Sequence, residues 1–117
     1  MKNLLLICLL ALVIFSCKKT DETPLLLPPA AEPSAKIYND RGIKYFYKGK
    51  YFDALIAFTQ ANVADNTTGE IQYNLGLMQH MQGRKDKAKD RFKLALKFAD
   101  GNVKILESSL LKKYLNK

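Results

Sequence analysis

Two stretches decide the fold: GIKYFYKGKYFDALIAFTQA at 42–61 and GLMQHMQGRKDKAKDRFKLA at 76–95. Each glycine at the start, each central glycine and each closing Ala-x3-Phe-x2-Ala recurs 34 residues on. Extended to segments 35–68 and 69–102, the register pairs Ile37/Ile71, Gly42/Gly76, Gly49/Gly83, Ala54/Ala88, Phe58/Phe92 and Ala61/Ala95. Lys50/Arg84 matches in charge. A fixed internal period of this length marks a stacked repeat.

The repeated residue types have a physical sense. Glycine inside a helix costs about 1 kcal/mol against alanine. Gly42 and Gly76 are therefore expected where a neighbouring helix approaches closely, with Ala54 and Ala88 doing the same on the opposing helix. Phe58 and Phe92 are expected to fill the space between pairs. Gly49 and Gly83 suit the left-handed position that ends a helix. Ser34 is a candidate cap for the first helix, and Thr67-x-x-Glu70 has the capping-box pattern for the third. These signals predict helices over 35–48, 51–64, 69–82, 85–98 and 103–115. The fold class is all-α: two helical hairpins and a C-terminal capping helix, a short α-solenoid. Val103, Leu106, Leu110, Leu111 and Tyr114 give the last helix one apolar face to lay on the second repeat.

The pattern resembles the tetratricopeptide repeat (TPR), a two-helix unit of about 34 residues with the signature W-x2-L-G-x2-Y, then A-x3-F, then P. The first copy supplies Tyr38, Arg41, Gly42 and Tyr45, then Ala54 and Phe58, with Asn66 at the proline place. The second supplies Gln72, Leu75, Gly76 and Gln79, then Ala88 and Phe92, with Asp100 there. The resemblance implies that the first helix of each pair lines a concave face. It places Lys36, Asn39, Ile43, Phe46 and Tyr47 on that face, then Glu70, Tyr73, Leu77, His80 and Met81. Of these, Asn39, Ile43, Phe46, Tyr47, Tyr73, Leu77, His80 and Met81 form the expected peptide-binding groove. Such a surface suits an extended peptide or an amphipathic helix, with aromatic side chains as anchors. The alternative is that some of these residues pack against the N-terminal segment, the cap or a second subunit. The family's carboxylate clamp is not expected: Asn39 and Ile43 stand where it needs Lys and Asn, and Asn74 alone matches.

The N-terminus has a different character. Leu4 to Phe15 is an unbroken apolar run behind Met1-Lys2-Asn3. As a helix it reaches roughly 18 Å, short of a bilayer core of about 30 Å. A basic start, a short apolar run and a small residue before a cut are the layout of a secretory signal. Ser16-Cys17 at its end resembles the lipobox of bacterial lipoproteins, with Phe15 bulkier than that box prefers. The resemblance implies a signal peptide over 1–16 and a lipid-bearing Cys17 as the mature N-terminus. Two acyl chains hold a protein durably on a membrane. Cys8 leaves with the signal, so no disulfide forms within the mature chain.

The expected organisation is thus 1–16 signal, 17–34 lipidated cysteine and Pro-rich tether, and 35–117 repeat domain. Pro24, Pro28, Pro29 and Pro33 deny the tether a regular helix or strand and predict a semi-rigid spacer of up to roughly 50 Å. Leu25-Leu26-Leu27 interrupts it. The trio reads as exposed residues in a loose linker or at the membrane surface, or else as a built-in ligand of the folded domain.

With 19 Lys+Arg against 11 Asp+Glu the chain is basic, which points to anionic partners. An exported protein does not meet nucleic acid, so none is expected as partner. The helix predicted over 85–98, with Arg84 just before it, carries much of the excess in Lys85, Lys87, Lys89, Arg91, Lys93 and Lys97, against Asp86 and Asp90. It reads as a solvated face, or as a surface for anionic lipid heads. No catalysis, metal or cofactor is expected. His80 is the only histidine, Met78 and Met81 beside it suit packing better than copper, and the acidic residues form no recognisable pair. The expectation is a lipid-anchored adaptor or scaffold at the bacterial outer membrane, on its periplasmic or surface face, binding a protein or peptide. The alternative is a structural subunit that forms homo-oligomers or stabilises an envelope complex.

Overall fold

A computed structural model describes residues 20–117. Six α-helices follow one another there: α1 (Pro33–Tyr47), α2 (Tyr51–Ala64), α3 (Gly69–Met81), α4 (Lys85–Lys97), α5 (Val103–Leu106) and α6 (Ser109–Leu115). The first four lie within two residues of their predicted bounds. α1 pairs with α2 and α3 with α4; α2 packs on α3, and α6 closes over α4. This is an all-α, six-helix fold consistent with a helical-repeat superfamily.

Each hairpin is built around a glycine and an aromatic ring. A Cβ on Gly42 would fall 2.5 Å from Phe58 Cε1, and one on Gly76 would fall 2.8 Å from Phe92 Cε1. Both rings are fully buried. The glycines therefore make room for a phenylalanine of the same hairpin, where the sequence reading put the phenylalanines between hairpins. Phe92 also reaches outward, its ring centroid 5.8 Å from Tyr73 and 5.2 Å from Tyr114 on α6.

The turns inside the two hairpins share one design. Gly49 and Gly83 have φ of 74° and 75°, the left-handed region open to glycine. The Gly49 N–H donates to the Phe46 carbonyl and the Lys50 N–H to the Tyr45 carbonyl. The Gly83 N–H donates to the His80 carbonyl and the Arg84 N–H to the Gln79 carbonyl. These bonds satisfy carbonyls that a helix end otherwise leaves open.

Three expectations are corrected. The capping helix over 103–115 is two helices, broken at Glu107–Ser108, because Ser108 turns its hydroxyl to accept the Leu111 N–H and starts α6 afresh. Ser34 does not cap α1: Glu32 does, accepting the Ala35 N–H, and the Ser34 hydroxyl donates to that same carboxylate. The capping box before α3 does not form. Asp65 accepts from the Thr67 and Thr68 hydroxyls instead, and Glu70 accepts from Asn102 Nδ2 at 3.1 Å. The Thr68 hydroxyl, and then the Thr67 N–H, hold the Asp65 carboxyl below the usual carboxylate range.

The largest difference concerns the tether. Over its described part it is no loose spacer. It lies on the helices, and Leu25 and Leu27, 8 % and 7 % exposed, join the same buried cluster as Phe58, Tyr73, Leu77 and Phe92.

Candidate functional site

The docked segment crosses α1 and α3, the first helix of each hairpin, and two asparagines meet it. Asn39 on α1 and Asn74 on α3 are both fully buried. Asn74 Oδ1 accepts the Leu25 N–H at 2.7 Å, and Asn74 Nδ2 donates to the Leu25 carbonyl at 2.9 Å. Asn39 Nδ2 donates to that carbonyl at 3.0 Å, while Asn39 Oδ1 accepts from Asn74 Nδ2 at 2.8 Å. Buried amides are costly unless bonded, and here each takes its partners from the other and from the main chain of one residue. The two asparagines read the main chain at Leu25, while its side chain enters the buried cluster.

Side chains are read on either side of that point. Glu22 sends its carboxylate between α3 and α6, where it accepts from the Tyr73 and Ser108 hydroxyls and, at 2.7 Å, from the Leu110 N–H. Burial, and then the bond to Glu22, push the Tyr73 phenol up, so that it stays protonated and donates. Leu25 and Leu27 go inward, each burial worth roughly 1.5–3 kcal/mol before the cost of ordering the segment. Leu26 between them is 72 % exposed, as alternation along an extended chain requires. Pro28 then lines a small cleft with Thr68, Gly69 and Glu70 at the start of α3.

The residues expected in the groove divide into three groups. Asn39, Tyr73 and Leu77 are buried, the first two in contact with the docked segment. Ile43 and Tyr47 flank a shallow open cleft of about 810 Å³ beside it, together with Leu26 and Val103. Tyr47 is 67 % exposed there, and Phe46 packs against it and against Tyr51. His80 and Met81 sit toward the far end of α3. His80 Nδ1 lies 2.8 Å from the Tyr114 hydroxyl of α6, and Met81 packs on the core. Cys17 lies outside the described residues. Among the described residues no group of three His, Cys, Asp or Glu could hold a metal ion, and no helix is long and apolar enough to cross a membrane.

Asn74 and Ser108 were missed as members of this face. Asn74 had a signal, being the one residue matching the family's clamp, and a polar residue among Ile71, Tyr73, Leu75 and Leu77. Ser108 had none beyond its helix-capping chemistry, since its second partner is Glu22, far away in the chain. The basic helix α4 leaves most of its lysines exposed, but Arg91 is half-buried and donates to Gln72 Oε1 at 2.9 Å.

Fold and face together define an all-α body of paired helical hairpins that carries its own extended segment across α1 and α3. Neither a protein-family model nor a curated protein matches the chain.

Proposed function

We propose that the chain is a bacterial lipoprotein, anchored through Cys17, whose two hairpins are TPR units that receive an extended segment of a protein partner at the cell envelope. The observation that carries the reading is the Asn39–Asn74 pair on the main chain of Leu25. Main-chain recognition across first helices is what a peptide-receiving face needs, and here it has a peptide in place. The matching Gly–Phe contacts and Gly49/Gly83 turns, each 34 residues apart, support the TPR assignment. The mechanism is non-covalent recognition and tethering, with no catalytic step.

Anchoring has a geometric consequence. With the segment docked from Glu22 onward, five peptide steps separate it from Cys17, a reach of at most roughly 17 Å. The body then sits close above the lipid heads, not at the end of a long spacer.

A second reading, a structural subunit, draws on a different surface. Phe52, Ile56 and Val63 form an exposed apolar stripe on α2, and Ile37 on α1 is 59 % exposed where its counterpart Ile71 is buried. Arg41 and Lys44 on α1, exposed, take the places of buried Leu75 and Met78 on α3. A preceding hairpin packed as α2 packs on α3 would bury those charges, which disfavours end-on stacking of copies.

One experiment in living cells tests both halves. A photo-crosslinking residue at Tyr47, combined with an alkyne fatty-acid label, is introduced into the native chain and into Cys17→Ser. The reading expects lipid label on the native chain alone and discrete crosslinked species in the envelope. Label on both chains, or crosslinks only to a second copy, would overturn it.

A further inference from the structure

The docked segment also specifies what the face selects. Resting on the proposal that this face receives peptides, we infer that it recognises an acidic residue followed, three and five positions on, by two leucine-like side chains in an extended segment. The chain's own Glu22-Thr-Pro-Leu25-Leu-Leu27 holds that place as a built-in competitor.

Each element of this code has its own observation. The acidic position is set by the Tyr73 and Ser108 hydroxyls, two donors from different parts of the chain that converge on one carboxylate with the Leu110 amide. An amide side chain there could accept through one oxygen only, so a carboxylate is preferred. The spacing to the first leucine is set by the asparagines, Asn74 holding the N–H and carbonyl of Leu25 and Asn39 the same carbonyl. The step of two to the next leucine follows from extended backbone: Leu25 and Leu27 are buried and Leu26 is exposed. Positions 21, 23 and 26 face solvent and carry no information, whereas Pro24 is buried beside Leu25.

Two features suit exchange. The segment from Glu22 to Leu27 belongs to no helix, and its polar bonds to the body come from Glu22 and Leu25 alone among the described residues. The asparagines also bond to each other, so they keep one partner when the segment leaves. A partner must outcompete a segment already at high effective concentration, on the order of millimolar for a short linker.

The test uses the full-length chain in detergent and a fluorescent peptide of residues 20–28, TDETPLLLP. Binding is compared between the native chain and Glu22→Gln, and between the peptide and its Glu22→Gln, Leu25→Ala and Leu26→Ala forms. An environment-sensitive dye on Leu26→Cys reports release of the chain's own segment. The inference expects Glu22→Gln in the protein to strengthen peptide binding at least ten-fold. It expects the Glu22→Gln and Leu25→Ala peptides to bind at least ten-fold more weakly, Leu26→Ala to bind unchanged, and the dye to respond in step. Equal binding of all peptides, or peptide binding without dye response, would overturn it. Discrimination among peptides with no crosslinked partner in cells would leave the code standing and sink only the adaptor role. A cellular partner crosslinked while the peptides fail would do the reverse.

Discussion

Asn74 grips Leu25 by both ends of its main chain, accepting the N–H at 2.7 Å and donating to the carbonyl at 2.9 Å. The two residues are 49 apart in the chain, and the contact joins a segment without helix to the middle of α3. The rest of the docked segment follows from this one grip: Glu22 on one side, Leu27 on the other.

Replacing Asn74 by alanine removes both bonds and leaves a buried N–H unsatisfied, a loss of about 1–3 kcal/mol. Limited proteolysis should then cut within residues 20–32 roughly ten-fold faster or more, while α1 to α4 resist. Asn74→Asp should behave nearly as badly, because a carboxylate cannot donate to the Leu25 carbonyl or to Asn39 Oδ1.

Neighbouring leucines should differ sharply. Leu27→Ala opens space in the core and should lower stability by about 2 kcal/mol. Leu26→Ala, at a position 72 % exposed, should stay within about 0.5 kcal/mol of the native chain. Urea midpoints decide it, and equal effects would mean that the trio is not docked in this register.

Gly42→Ala should destabilise although alanine favours helix by about 1 kcal/mol. Its Cβ would meet the buried Phe58 ring at 2.5 Å, and overpacking of this kind costs about 1–3 kcal/mol. Phe58→Leu should be less harmful in the Gly42→Ala background than alone. A double-mutant cycle in urea measures that coupling, and strict additivity would separate the two residues.

Stability should fall in alkali. The Tyr73 phenol is raised above its ordinary value of 10.0 by burial and then by Glu22. Its contribution is therefore complete below pH 10, and it declines above that as the unfolded chain releases a proton that the folded chain retains. Tyr73→Phe should flatten part of this decline between pH 10 and 11 and cost about 1 kcal/mol at pH 7. Tyr114, raised by burial, keeps a residual slope in the variant.

The hairpins were legible because their determinants are local and occur twice. A glycine that must admit a ring, and a glycine that must turn a helix end, recur at one offset, and neither depends on distant residues. The docked segment was not legible for the opposite reason. Leu25-Leu26-Leu27 amid prolines reads as well for a loose linker as for a ligand, and only Asn39 and Asn74, brought together by folding, decide between them. The break in the last helix has the same origin. Val103 to Tyr114 keeps helical spacing throughout, and Ser108 interrupts it where Glu22 arrives from the other end of the chain. The capping box at Thr67 failed because Asp65, two residues earlier, accepts from both hydroxyls first.

Amide hydrogen exchange at Leu25, followed by NMR in the full-length chain, tests the central claim most directly. The bond from the Leu25 N–H to Asn74 Oδ1 predicts a Leu25 amide protected at least a hundred-fold over an open chain, and Leu26 protected far less. Exchange of Leu25 at the open-chain rate, with α3 amides still protected, would mean that the face is vacant and that nothing about its preferred peptide can be taken from residues 22–27.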